Sequence, residues 1–290
     1  MDAPSVATPA PSSAADADLV WYSARRAWTL VDVAELWRYR QLMAILALRD
    51  VKVRYRQTII GVAWALVQPV AQLCIFAVLF GLLGRTPVEP GTPFVVSAMC
   101  GLVLWQLFSQ SVSGASQSLV ANSNLVTKVY FPRLVLPFAA VLGVLIDFAV
   151  GLGLLAVLML WFGVWPSVAI VAAPLFVLLT LLVALAIAIW LSALSALYRD
   201  FQYVVPFLLQ VAFFISPVVY QTDALIPAAW RPLFALNPLA GAIDGFRWAV
   251  TGQGQFPWLT VGVSVPLLAL VLSSGLAYFR RVERTFADRI

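Results

Sequence analysis

The sequence predicts an all-α polytopic membrane protein: six transmembrane helices per chain, an N-terminal amphipathic interface helix, and re-entrant helices before the last span. Two observations carry that prediction. The 290 residues are 62% apolar and 11% charged, with a mean hydropathy of +0.94, whereas a soluble domain is about half apolar and about a quarter charged. The charges also leave long gaps. No Asp, Glu, Lys or Arg lies between Arg56 and Arg85, Glu89 and Lys128, Asp147 and Arg199, Asp200 and Asp223, or Arg247 and Arg280, intervals of 28, 38, 51, 22 and 32 residues. About 20 apolar residues cross a hydrocarbon core roughly 30 Å thick.

Residues 1–30, rich in Ala, Pro, Ser and Asp, read as a disordered cytoplasmic tail without the basic and apolar pattern of a signal peptide. Over 31–58 the pattern becomes helical: at 100° per residue Arg38, Arg49, Lys52 and Arg56 share one face, and Leu36, Met43, Ala47 and Val51 the other. Such a helix lies along the membrane surface. A six-helix domain follows over 59–279. Its first span, 59–84, carries Gln68, Pro69 and Gln72, and a Pro/Gly turn over 86–93 leads to a second span at 94–115. The polar stretch 118–133 reads as a loop with a short helix. Gly163-Val164-Trp165-Pro166-Ser167 supplies turn chemistry that divides 134–197 into a third and a fourth span. After the polar break 198–203, Pro206 and Pro217 predict a short, bent fifth span over 204–220. Segment 221–256 mixes Pro and Gly with apolar residues, as re-entrant pieces do. The sixth span, 257–279, ends at Arg280-Arg281 and a cytoplasmic tail, 280–290.

With six spans, fifteen of the eighteen Lys and Arg fall on one side and only Arg85, Arg231 and Arg247 on the other, which places both termini in the cytoplasm. The basic residues sit at the ends of apolar segments, so the net charge of +5 points to membrane lipids and not to nucleic acid. Histidine is absent and only Cys74 and Cys100 are present, which removes histidine-based catalysis and His or Cys metal sites. Neither lysine, Lys52 or Lys128, closes a P-loop. No cofactor, metal or nucleotide is expected on this chain.

Several groups stand out, each beside a plainer reading. The basic helix carrying Arg38, Arg49, Asp50, Lys52, Arg54, Tyr55 and Arg56 is an interfacial anchor or a handle for a cytosolic partner. Asn124, Thr127, Lys128, Tyr130, Phe131 and Arg133 make either a connector or a surface for a soluble motor, and Tyr198, Arg199 and Asp200 offer the same pair of readings. Asp147 is the one charged residue well inside a predicted span. With no second acid, Lys or His at membrane depth, the sequence favours a structural hydrogen-bonding role over a proton relay. Asp244 and Arg247 lie one turn apart and read as an ion pair, beside a Gly241-x-x-x-Gly245 packing motif. Among 37 aromatic residues, Trp64, Phe76, Phe80, Trp105, Phe108, Phe207, Phe213 and Phe214 are candidates for a conduit lining, against the plainer reading of belt residues facing lipid.

Three stretches, LALRDVKVRYRQTIIGVAWALVQP at 46–69, NSNLVTKVYFPRLVLP at 122–137 and LNPLAGAIDGFRWAVTG at 236–252, in this order and spacing, resemble the permease subunit of polysaccharide-exporting ABC transporters, the family that moves O antigens, capsular polysaccharides and teichoic acids. The resemblance implies a bacterial inner-membrane homodimer forming a channel for a lipid-linked polysaccharide, most simply O antigen. It implies two separate ATPase subunits that hold the ATP and Mg. It makes the basic helix a gate for the glycolipid at the cytoplasmic leaflet, 124–133 a coupling helix and 198–200 a second contact with the ATPase. It also makes 221–252 an outer gate, with Asn237, Asp244 and Arg247 in it. Loss of charge at Lys128 or Arg133 is then expected to impair transport without blocking insertion. Three alternatives stand beside this: a permease for small amphiphiles such as drugs or lipids, a membrane enzyme such as a lipid-sugar transferase, and a non-catalytic membrane scaffold, which the Pro/Gly-broken outer segment fits less well than a conduit. The second lacks the close acid pair that metal-assisted phosphoryl chemistry wants; Asp16-Ala17-Asp18 lies in the tail.

Overall fold

The computed structural model describes residues 33–56, 64–84, 88 and 93–286. The predicted tail at 1–30, the start of the first span, most of the turn at 86–93 and residues 287–290 lie outside them. Among the described residues every regular element is a helix.

The interface segment is two helices, α1 (Val33–Arg38) and α2 (Arg40–Tyr55), parted at Tyr39. The long helices follow: α3 (Trp64–Leu83), α4 (Phe94–Ala121), then the short α5 (Ser123–Lys128), α6 (Val135–Trp161) and α7 (Ala173–Leu197). Gly163 takes φ +68°, and the Ser167 hydroxyl accepts from Ala169 N at 2.9 Å, so the predicted turn does separate α6 from α7. Next come α8 (Phe201–Ile215), α9 (Thr222–Leu225), α10 (Arg231–Phe234), α11 (Pro238–Thr251) and α12 (Trp258–Val282).

Among the described residues five helical segments are long and apolar enough to cross a membrane: Ala65–Leu83, Phe94–Ala121, Val135–Trp161, Val168–Leu197 and Trp258–Val282. The remaining predicted span is short, as its prolines predict. α8 has 15 residues, about 22 Å at roughly 1.5 Å each, against a core of roughly 30 Å. Its stop is local. Ser216 precedes Pro217 and takes the extended conformation that proline demands of its neighbour (ψ 147°), so the chain leaves the helix one turn earlier than the apolar run suggests.

Helices in lipid gain little from hydrophobic transfer against one another and associate through close packing and hydrogen bonds. α4 is the buried centre, packed on α3, α6, α7, α8 and α11. Around it two apolar clusters divide the bundle along its length. One joins the first half of α4 to the second half of α6, the start of α7 and helix α11; Leu102, Phe176 and Ile243 are central to it. The other joins the ends of α4, α7 and α12 to the start of α6 and to Leu36, Leu46, Phe131 and Phe286. The predicted coupling segment meets the N-terminal helices and the last described residues at this second end.

Glycines allow the closest approaches. A Cβ on Gly245 would lie 2.0 Å from the Phe176 ring, and one on Gly241 would lie 2.6 Å from Ser264 Oγ. The two glycines of the predicted packing motif thus serve different neighbours, α7 and α12.

Candidate functional site

α2 presents its charges outward and its apolar side to α6. Arg38, Arg49, Lys52, Arg54 and Arg56 are exposed, Asp50 and Tyr55 are half-buried, and Leu46 and Ala47 are buried. This is the pattern the periodicity predicts, with an addition. The helix does not stay on the surface but runs alongside α6, where Ala47 lies opposite Gly143. Its last turn therefore reaches Asp147, twelve residues into α6 from Val135, about 18 Å along the axis at roughly 1.5 Å per residue. Arg54 forms an ion pair with one Asp147 oxygen, and the Tyr55 hydroxyl donates to the other. Asp147 is only 8% exposed, and these partners supply the charge and hydrogen bonds that an intramembrane carboxylate requires. Arg54 also donates to Gln110 Oε1 at 3.4 Å. Beside them Gln106, Gln110 and Asp147 line a cavity of about 10 Å³, and the buried Gln106 Nε2 has no protein partner. Five residues before Arg54, Arg49 donates to Asp50 and, at 2.7 Å, to Asn122 Oδ1, while Asn122 Nδ2 donates to Ser118 O. Asn122 caps α4 where α5 begins.

The segment after α4 divides into contact surface and anchor. Asn124, Thr127, Lys128 and Tyr130 are exposed, Tyr130 to 82%, and the Thr127 hydroxyl donates to Ser123 O. Phe131 and Val126 point inward to the second cluster. Arg133 is also drawn inward: its guanidinium lies 5.8 Å from the Phe286 ring centre and its backbone N–H donates to Glu283 Oε1 at 3.4 Å. Burial pushes the Glu283 carboxyl up, against the pull of the Arg133 N–H and the charges of Arg133 and Arg280. Phe286 is fully buried and edge-on to Phe279 at 5.3 Å. The turn that follows α12 therefore braces the loop from behind. Phe286→Ala removes that brace and is expected to cost about 3–5 kcal/mol, as for buried aromatics generally, read as a lowered melting temperature of the detergent-solubilised protein. Tyr198, Arg199 and Asp200 form an exposed turn between α7 and α8.

At the opposite end Arg247 is 3% exposed and holds three segments together, α11, the start of α4 and the stretch after α8. It pairs with Asp244 Oδ1 at 2.9 Å and donates to the carbonyls of Ser97, Pro217, Val218 and Tyr220 at 3.0–3.2 Å. Asp244 accepts from Thr222 Oγ1 at 2.5 Å. Asn237 caps α11 through Leu239 N and donates to Ser216 Oγ at 2.8 Å. The sequence indicates the Asp244–Arg247 pair; it does not indicate that the same guanidinium gathers the irregular stretch after α8 onto the start of α4.

Of the aromatic candidates, the Trp64 side chain lies outside the described residues. Phe213 meets Phe76 and Trp105 with ring centres 5.9 and 5.4 Å away, Phe80 stacks on Phe76 at 6.3 Å, and Phe108 lies 5.5 Å from Trp105. Trp105 and Phe108 are buried, whereas Phe207 and Phe214 are exposed. Among the described residues no group of three His, Cys, Asp or Glu is placed to hold a metal.

Sequence reasoning leaves out Gln110 and Asn122, which accept from Arg54 and Arg49 of α2, and Gln106, which lines the cavity beside Asp147. Part of the signal is there: Gln106 and Gln110, four apart inside an apolar helix, share one face, the face from which Gln110 meets Arg54.

Residues 41–251 match the family described as ABC-2 type transporter. The chain is 34% identical over 262 residues to the O-antigen export system permease protein RfbA of Myxococcus xanthus, covering 89% of this chain and 98% of that one. It is 26% identical to the protein of the same name from Klebsiella pneumoniae over 249 residues, 85% and 94% of the two chains. It is also 26% identical to the polysialic acid transport protein KpsM of Escherichia coli over 244 residues, 82% and 92%.

Proposed function

We propose that this chain, which belongs to the ABC-2 type transporter family, is the membrane subunit of an ATP-driven exporter of lipid-linked polysaccharide, O antigen before capsular glycan. The observation that carries the reading is near full-length similarity to permeases named for O-antigen export, the 34% relative above all. Composition agrees: neither lysine closes a P-loop that could hold ATP, and a hydrophilic glycan on a lipid anchor needs a wet path through hydrocarbon that the chain alone has no energy to open and close.

In this reading two copies form the channel, and six crossings per copy result if α8 and the following residues together complete the fifth. Both termini are cytoplasmic, by the excess of Lys and Arg at that end. The exposed residues Asn124, Thr127, Lys128 and Tyr130, with Tyr198, Arg199 and Asp200 as a second contact, form the docking surface for a separate ATPase that carries ATP and Mg. α2 is the gate at the cytoplasmic leaflet, and 221–256, fixed by Asn237, Asp244 and Arg247, closes the outer side. The aromatic group of α3, α4 and α8 lies toward the conduit, with the exposed Phe207 and Phe214 meeting the partner copy or the glycan. ATP-driven closure of the motor shifts the bundle only through contacts that differ between the two states.

The test is complementation. In cells lacking the native chain, the wild type is expected to restore surface glycan and to co-purify with an ATPase. Lys128→Ala with Tyr130→Ala, both on the exposed side of the loop, is expected to keep membrane insertion and to lower surface glycan by roughly tenfold, within the range of coupling mutations. Normal display by that double variant refutes the docking assignment. Export of a small amphiphile without any glycan display supports the drug or lipid permease instead.

A further inference from the structure

We propose that Asp147 is a positioning residue for transport: it is the point on α6 to which α2 is docked, and through α2 it joins the coupling segment to the membrane-depth end of the gate. This rests on the reading of α2 as gate and 118–133 as coupling segment.

Both oxygens of Asp147 are engaged, one by Arg54 and one by Tyr55, and both partners belong to α2. Five residues before Arg54 on the same helix, Arg49 holds Asn122 at the junction of α4 and α5. Flanking Arg49, Ala47 and Val51 lie against Gly143, where an added Cβ would sit 3.5 Å from Ala47 O and 3.8 Å from Val51 Cγ2. α2 is therefore fastened twice, once where a motor pressing on α5 would act and once deep on the wall formed by α6. Arg49 and Arg54 are only about a turn and a half apart, a span over which a helix moves as one piece. Displacement at Asn122 reaches Asp147 with little loss. Undocking is discrete: α2 cannot leave α6 without stranding a nearly buried carboxylate in an apolar wall, so the gate has two defined positions and few between.

The docking explains Asp147 better than a proton path does. Among the described residues no other Asp or Glu shares its cavity, whose lining is otherwise Val103, Leu107, Val144, Phe148, Gly151 and two glutamines. It also gives Gln110 a purpose, since it holds the same Arg54 from the α4 side.

The experiment uses the whole chain with its ATPase and three readouts: surface glycan in complemented cells, ATPase rate of the purified complex, and bismaleimide cross-linking between Ala47→Cys and Gly143→Cys in a Cys74→Ser, Cys100→Ala background. Gly143 has room for the added side chain. Asp147→Asn and, separately, Arg54→Gln are expected to lower the cross-link yield and to reduce surface glycan by roughly tenfold while ATP hydrolysis continues. The exchange of charges, Asp147→Arg with Arg54→Asp, is expected to regain part of both. A merely structural role would lower hydrolysis and display together. Arg54→Gln leaves α6 untouched and so serves if Asp147→Asn fails to reach the membrane. Unchanged cross-linking, or normal display, in both single variants overturns the proposal. A wild-type control that restores no glycan overturns the proposed function instead, and the cross-link still decides the docking.

Discussion

Arg247→Leu is expected to be among the most damaging single changes in this chain, lowering stability by about 3–5 kcal/mol, the usual cost of removing one member of a buried ion pair. Asp244 would be left 13% exposed with Thr222 as its remaining side-chain partner, and the carbonyls of Ser97, Pro217, Val218 and Tyr220 would each lose a charged donor. Those carbonyls belong to the first turn of α4 and to the non-helical stretch after α8. Irregular backbone at such a place survives only when something satisfies it, and here one guanidinium does. Arg247→Lys keeps the charge but not the planar fork; an ammonium with three donors cannot serve five acceptors spread around it. It is therefore expected to fall between the wild type and the leucine variant in thermal unfolding of the detergent-solubilised protein. A leucine variant that melts with the wild type would mean that the stretch 216–221 is held by its packing alone.

The same site marks the limit of what the sequence discloses. Asp244 and Arg247 are one helical turn apart, so their pairing follows from spacing alone. The other acceptors are backbone carbonyls of Ser97, Pro217, Val218 and Tyr220, and no residue type announces that its carbonyl is unsatisfied. Asp147 repeats the lesson at the other end. Its place inside a predicted span, at the edge of a 51-residue uncharged interval, makes it legible as a special residue, but its partners Arg54 and Tyr55 are legible only as members of a surface helix, because periodicity gives a helix its faces and not its neighbours. The span boundaries are better determined. The turn at 163–167, Pro93 before Phe94 and the pair Arg280-Arg281 are chemical stops, and α4, α6, α7 and α12 begin or end within a few residues of them. The end of α4 is the exception: the span is predicted to stop at 115 and 118–133 reads as loop, yet Ser116 and Ser118 return their hydroxyls to carbonyls of the preceding turn and the helix continues to Asn122. Phe131 shows the converse. Its place in a polar stretch groups it with the contact surface, while the structure turns it into the apolar cluster beside Phe286.

The second large effect is expected at Gly101, and it can be set against a glycine of the same helical kind that should behave oppositely. On α4, a Cβ at Gly101 would lie 1.9 Å from the Val218 carbonyl oxygen, 2.8 Å from its carbon and 3.0 Å from Arg247 Nη2. The obstacle is backbone, so no rotamer change relieves it; either α4 or the stretch 216–221 must move, and Arg247 holds both. Overpacking typically costs about 1–3 kcal/mol, and Gly101→Ala belongs at the upper end because the displaced carbonyl is also one that Arg247 must reach. Gly153 on α6 has nothing within 4 Å of an added Cβ. There alanine only removes the conformational freedom that glycine gives the unfolded chain, worth about 0.5–1 kcal/mol in favour of the helix. The pair of variants separates packing from propensity: Gly101→Ala is expected to lower the melting temperature of the solubilised protein and Gly153→Ala to hold or raise it. If both lower it equally, the close approach of α4 to Val218 is not what the outer end depends on. If Gly101→Ala is harmless, the stretch after α8 can shift away from α4 at little cost, which is the property an outer gate would need.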